Sequence, residues 1–201
     1  MTADIEAVDG VQVESWPACM LDLETLSTVP GGIVFSIGAV MFDPKKNELG
    51  PRFNQIINVN DAETYGLHKS LSTMAWWDRQ STDARAELEK AYSIDGSLPM
   101  KLVLDNFDLF FKVKGTSTCT LWGNGADFDA PMLRACYDVA NIPVPWDKRD
   151  SRCHRTLKEL IKLQHIAPEI PHHALHDAIA QAKQALAIFN FAAVRGCELT
   201  L

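Results

Sequence analysis

The sequence predicts an α/β domain with a mixed central sheet that opens as an antiparallel meander and is flanked by helices. Three observations carry that expectation. Apolar runs rich in β-branched residues recur between residues 19 and 59, with only short turns between them. Beyond residue 72, segments of helical period alternate with one short strand-like run at 118–123. Finally, 201 residues at 47% apolar content suffice for one full hydrophobic core, without internal repeat or low-complexity segment.

The elements follow in chain order. Residues 1–16 mix acids with small residues without period, so a flexible tail is expected, leaving 17–201 as a single domain. Residues 19–24 read as the first strand and 25–32 as a loop. Residues 33–42 are apolar, β-branched and too close to Gly31-Gly32 for a helix, so a second strand is expected. Asp43-Pro44-Lys45-Lys46-Asn47 makes the hairpin turn, and residues 52–59 pair back as a third strand. Residues 72–92 are helical in character, with Ser72 and Ser81 as N-cap candidates and Gly96 helping to end the segment. Leu98, Leu102, Phe107 and Leu109 to Phe111 recur near a 3.6 period, which predicts an amphipathic helix over 97–112. A strand at 118–123 leads into a helix over 127–140, broken at 141–145. A short helix at 156–163, a loop at 167–171 and a long helix over 174–194 complete the chain.

Composition narrows the function classes. A net charge of −7 argues against a broad basic face that coats nucleic acid. Every apolar run is interrupted by Asp, Lys or Pro before membrane-spanning length, and no basic n-region with an apolar h-region opens the chain. The five cysteines (Cys19, Cys119, Cys136, Cys153 and Cys197) are odd in number and lack C-x-x-C spacing. Free thiols and a cytoplasmic location are therefore the expectation.

Three polar clusters carry the chemistry. In Met20-Leu21-Asp22-Leu23-Glu24-Thr25, strand alternation projects Asp22 and Glu24 to one face while Leu21 and Leu23 enter the core. Two like charges so close raise each other's pKa unless a cation lies between them, and a divalent metal is the usual solution. An isolated D-x-E is more ordinarily a half-exposed edge strand, so partners elsewhere must decide. The second cluster is Trp122-Gly123-Asn124-Gly125-Ala126-Asp127-Phe128-Asp129, a strand running through a small-residue turn into a helix. Acids at a helix start are favoured by the dipole alone, by roughly 0.3–1 kcal/mol. Asp127 reads as the cap and Asp129 as turned inward beside Phe128. The third cluster is Pro171-His172-His173-Ala174-Leu175-His176-Asp177-Ala178. His172 and His176 have i, i+4 spacing, but H-E-x-x-H and clustered cysteines are both absent, which disfavours zinc.

The order Asp-x-Glu, Asn-Gly-Ala-x-Phe-Asp, His-x-Ala-x-x-Asp-Ala resembles the DEDDh 3′–5′ exonucleases of ribonuclease-H-like fold. The resemblance spans about residues 19–192. The segment Ser72-Thr73-Met74-Ala75-Trp76-Trp77-Asp78-Arg79-Gln80-Ser81, with Arg152 to Leu157, is similar to a subgroup of mycobacterial-type exoribonucleases and phage exonucleases. The resemblance implies that Asp22, Glu24, Asp129 and Asp177 hold two divalent ions, Mg²⁺ or Mn²⁺, with His172 as general base. It also implies Thr25 and Leu26 near the terminal nucleotide. An extra residue between Asn-Gly-Ala and Phe-Asp leaves Asp127 as an alternative to Asp129. His173 and His176 are alternatives to His172, which the spacing to Asp177 favours. Relatives of this kind often dimerise, so a homodimer is an expectation.

The chemistry suits those residue types. Two ions roughly 3.5–4 Å apart stabilise both the attacking and the leaving oxygen of an in-line displacement. Hard oxygen ligands select Mg²⁺ and Mn²⁺, and a neutral imidazole accepts a proton near neutral pH. No G-x-S-x-G or other nucleophile motif is present. Metal-binding acids count as negative until ions arrive, so the net charge is compatible with a nuclease acting on single-stranded nucleic acid. Trp76 and Trp77 are adjacent on a helix and cannot share a face, so one is expected in the core and the other near the site, stacking on a base. Phe128 is a further candidate substrate contact. Lys148, Arg149, Arg152, His154, Arg155 and Lys158 form the densest positive run; Arg149 and Arg152 are the candidates to hold a phosphate backbone. An oligonucleotide phosphodiesterase and a non-catalytic nucleic-acid-binding module are the alternatives on the same scaffold.

Overall fold

A computed structural model describes residues 14–199. Five strands form one sheet in the order β3-β2-β1-β4-β5. The strands β1 (Trp16–Thr25), β2 (Val34–Asp43) and β3 (Glu48–Ile56) make the antiparallel meander, and β4 (Gly115–Gly123) and β5 (Ser151–Cys153) add parallel to it. The expected mixed sheet is therefore present, within an α/β fold. Of the expected tail, residues 1–13 lie outside the described residues, whereas Trp16 is buried at the start of β1.

The third strand begins earlier than expected, at Glu48, and contains Pro51. A proline is tolerated there because β3 is an edge strand, where a missing N–H breaks no ladder bond on the open side. What was expected to be the end of that strand turns instead into α1 (Val59–Thr64), with the Asn58 side chain accepting from the Asp61 amide at 3.0 Å. The helical stretch over 72–92 is two helices, α2 (Leu71–Trp77) and α3 (Thr82–Ala91). Ser81 starts α3 by accepting from the Ala84 amide at 3.2 Å, which is the cap expected of it. Ser72 lies inside α2, whose N-cap is Ser70. The helices α4 (Met100–Lys114), α5 (Asp129–Val139), α6 (His154–Leu160) and α7 (Ala174–Val194) follow. The three residues of β5 carry no element expected from the sequence. Among the described residues, no helix is long and apolar enough to cross a membrane.

Alternation along β1 divides the core. Cys19, Leu21 and Leu23 join Met100, Val103, Phe107, Leu133 and Tyr137 of α4 and α5 in one buried cluster. Ala18 and Met20 join Ala178, Ala182, Ala185, Leu186 and Phe189 of α7 in the other. Burying Leu186 and Phe189 contributes about 1.5–3 kcal/mol each, while the alanines let the α7 backbone approach the sheet closely. Asp22 and Glu24 continue the α7-facing side of β1, so they meet the first turn of that helix.

Gly38 sets this meeting. It pairs with Asp22 across the β1–β2 ladder, and a Cβ there would run into the backbone of Ala174 and Leu175. Gly38→Ala is therefore expected to push the start of α7 off the sheet, at a cost of about 1–3 kcal/mol or more. Thermal unfolding should show Tm lowered by roughly 2–4 °C per kcal/mol. An unchanged Tm would show that the helix start is not seated as described.

Candidate active site

At the C-terminal end of β1 the sheet leaves an open cleft of about 520 Å³. Asp22, Glu24 and Thr25 from β1, Asn124 and Phe128 from the β4–α5 turn, Trp76 from α2 and Asp177 from α7 all face it, as does His172. One carboxylate oxygen each from Asp22, Glu24 and Asp177 lie within 4.8 Å of one another. Asp129 stands beside them from the first turn of α5, only 1% exposed, with its Oδ2 accepting from the Asn124 amide at 2.7 Å. Gly123 leaves the space for this, because a Cβ there would fall 2.7 Å from that same Oδ2.

All four carboxyls are held above their ordinary range. For Asp22 the causes are burial and then the charges of Asp129, Glu24 and Asp177, opposed by a 2.6 Å hydrogen bond from Gln181 Nε2. Burial and then Asp177, Glu87 and Asp129 push Glu24 up. Burial raises Asp129 to about 6 against the pull of the Asn124 amide and the Arg155 guanidinium. Asp177 is raised by burial, partly offset by the backbone amide and charge of His172. Such a cluster of hard oxygens is a poor arrangement without cations and a fitting one with them. Gln181 Oε1 and Asn124 Oδ1 are also buried without a hydrogen-bond partner among the described residues, which adds two neutral oxygens to the same wall. The donor set fits divalent ions of the Mg²⁺ or Mn²⁺ kind.

His172 takes a left-handed backbone, with φ of 61°, directly ahead of α7. Its ring meets Trp76 edge-on, with centroids 4.8 Å apart. Trp77, by contrast, is 1% exposed, packs on Phe35 and donates from Nε1 to the Thr25 carbonyl at 2.9 Å. The adjacent tryptophans thus divide as the helix geometry requires, one anchoring α2 to the end of β1 and one left at the cleft.

Several expected residues are placed elsewhere. Asp127 is exposed and does not cap α5; Phe128 holds that position and Asp129 is the inward acid. Leu26 does not face the cleft, because its side chain is fully buried in the core beneath the loop. His173 turns to Glu87 and His176 stacks on His173, so His172 is the histidine in the cleft. Arg149 is exposed on a short 3-10 turn, and Arg152 donates to the Arg149 and Ser151 carbonyls; neither lines the cleft. His154 of the same basic run is buried, which lowers its pKa to about 4 and removes it from any phosphate-binding surface. Arg155 is the member of the run that reaches the site, with its guanidinium over Gly125. Gln181, Asn124, Thr28, Ser72 and Thr73 also line the cleft, and none of them is expected from the sequence as a ligand or substrate contact. Gln181 was findable, since it lies one helical turn beyond Asp177 and shares its face.

A sheet in this order, with acids at the end of its first strand and on the helices that follow, is the arrangement that the resemblance to DEDDh exonucleases implies. Solved structures agree on the fold. The nuclease domain of 3′hExo, a DEDDh family member, bound to rAMP, superposes with a TM-score of 0.58 at 15% identity, covering 91% of this chain and 94% of that one. Cell-death related nuclease 4 (CRN-4) gives 0.57 at 14% identity, covering 90% and 66%. The zinc-bound E. coli ExoI–ssDNA complex gives 0.62 at 14% identity over 90% of this chain and 43% of that one, so the chain spans less than half of ExoI. No curated protein matches the chain. The sequence profile of the 3′–5′ exoribonuclease Rv2179c-like domain matches residues 18–189, and the chain belongs to that family. It is a 3′–5′ exonuclease.

Proposed function

We propose that this protein hydrolyses single-stranded RNA from the 3′ end and releases nucleoside 5′-monophosphates, with two divalent ions in the carboxylate cluster and His172 as general base. The observation that carries this reading is the convergence of three carboxylate oxygens within 4.8 Å and of His172 on one cleft. The name of the family favours RNA over DNA.

Asp22, Glu24, Asp129 and Asp177 would hold the ions, which when bound supply positive charge to both oxygens of the displacement. His172 accepts the proton of the attacking water as its oxygen bonds to phosphorus and the bond to the 3′ oxygen breaks. The released 3′ oxygen takes its proton from solvent. The terminal nucleotide lies between Phe128 and Trp76, where stacking on a base contributes about 1–3 kcal/mol. Thr25, Thr28, Ser72 and Thr73 line the same cleft. Orientation of the strand end, rather than a long charged track, carries recognition.

One observation favours a second reading. The lining of the cleft holds no Lys or Arg among the described residues, and Arg155 comes only as near as Gly125 and Asp129 beside it, which suits very short oligonucleotides as well as strand ends. A product assay decides between them. 5′-labelled 20-mers and dinucleotides, in RNA and DNA forms, are incubated with Mg²⁺, Mn²⁺ or EDTA. A ladder on the RNA 20-mer that shrinks from the 3′ end and vanishes in EDTA is the expected result. Cleavage of dinucleotides alone would replace the strand-end reading with the second one, and inert substrates throughout would leave a binding module.

A further inference from the structure

Glu87 is a buried carboxylate outside the four that form the centre. It lies on α3, whose other acids, Asp83 and Glu89, are exposed. Glu87 is 4% exposed and its Oε2 has no hydrogen-bond partner among the described residues. Its Oε1 stands 3.4 Å from His173 Nε2. A carboxylate in such a place is unfavourable unless a polar partner meets it, and His173 is the side chain paired with it among the described residues.

His173 is held at several points. Its ring stacks on His176 at 4.2 Å and 21° and its Nε2 meets Glu87, while its Nδ1 is buried without a hydrogen-bond partner among the described residues. Its amide donates to Asp177 Oδ2 at 3.2 Å, and its carbonyl accepts from the Asp177 amide at 3.0 Å. The residue before it, His172, has the left-handed φ of 61°. A non-glycine residue persists in that region when its surroundings over-determine it. The contacts of His173 contribute to this, and among the described residues its side-chain link to another element runs to α3 through Glu87.

We propose that Glu87 is a positioning residue: through His173 it holds the turn that presents His172 to the cleft. This rests on the exonuclease reading for its kinetic consequence, but not for its structural one. Glu87 also contributes, after burial and Asp177, to the raised pKa of Glu24, so it lies within electrostatic reach of the centre. Positioning and a charge effect on Glu24 make different predictions.

Glu87→Met matches the length of the side chain, packs in an apolar site and offers no acceptor. Glu87→Gln keeps an acceptor for His173 and removes the charge. With Mg²⁺ and 5′-labelled RNA, Glu87→Met is expected to lower kcat by about 10-fold or more while KM stays within about twofold. Glu87→Gln should keep at least about half of wild-type kcat by the same argument. Independently of activity, the Cε1–H proton resonance of His172, displaced by the Trp76 ring current, should move toward its unstructured position in Glu87→Met and stay in place in Glu87→Gln. An unmoved His172 resonance in Glu87→Met would overturn the proposal, whatever the kinetics. So would equal kinetic damage in the two variants, which would assign Glu87 a role by charge. If wild type hydrolyses nothing, the exonuclease reading fails while the resonance still decides the positioning role. If Glu87→Met does not fold, His173→Phe, which keeps a ring and removes the link to Glu87, takes its place: a displaced His172 resonance there upholds the proposal and an undisplaced one overturns it.

Discussion

Asp22→Asn is expected to bring turnover below about 1% of wild type while leaving the metal-free fold intact or more stable. Asparagine keeps an Oδ1 for the Gln181 amide, which donates to Asp22 at 2.6 Å, so packing and hydrogen bonding change little. What changes is charge. Two carboxylates with oxygens within 4.8 Å repel by about 3–4 kcal/mol at an effective dielectric of 20, and Asp22 has several such neighbours. The sign of the pH dependence follows from the raised pKa values. A carboxyl whose folded pKa lies above its unfolded one contributes stability that is present at low pH and lost as pH rises through the folded value. For Asp129 that loss runs from near its unfolded range to about 6, and Asp22, Glu24 and Asp177 act in the same direction. Metal-free wild type should therefore lose Tm between about pH 4 and pH 7, and Asp22→Asn should lose less. Mg²⁺ or Mn²⁺ at 100 times its Kd should restore about 2.7 kcal/mol to wild type at pH 7.5 and clearly less to the variant. Calorimetry with and without EDTA reads both effects. A variant that keeps wild-type turnover, or gains as much from metal as wild type, would contradict a cation site at this cluster.

The D-x-E pair is legible in the sequence because strand alternation is a two-residue rule, and Leu21 and Leu23 supply its apolar counterpart. The α7 helix is legible for a similar reason, and its bounds agree with expectation at both ends. Elements that rest on tertiary context are not legible. Pro51 looks like a strand terminator until β3 is known to be an edge. The break between α2 and α3 at residues 78–81 lies in a stretch whose composition does not oppose a helix; Trp77, anchored on Thr25, and the cap at Ser81 define it. The centre divides in the same way. Asp22, Glu24, Asp129, Asp177 and His172 sit at the junctions of strands, turns and helices, where local pattern reveals them. Glu87 is one more helical acid until the fold shows that it is buried against His173. Arg149 and Arg152 look as cationic as Arg155, and only the path of β5 and the turn at Gly125 separates them.

His172→Asn is expected to lower kcat by about 10²–10⁴-fold, with KM and metal affinity within about threefold of wild type. Asparagine suits the test because it tolerates the left-handed backbone that His172 adopts, so the turn into α7 is preserved. It cannot accept a proton near neutral pH. The His172 ring contributes to the cleft wall beside Trp76 but not to the group of three carboxylate oxygens, so removing it leaves those oxygens in place. Proton transfer and cation binding should therefore separate. The gain in Tm from Mn²⁺ survives in the variant, while turnover is lost. A loss of the Mn²⁺-dependent Tm gain equal to that of Asp22→Asn would make His172 a ligand. A wild-type pH profile with nearly unchanged kcat would pass the base to another group, and His173 is excluded from that role by its engagement with Glu87 unless the Glu87 variants show that engagement to be absent.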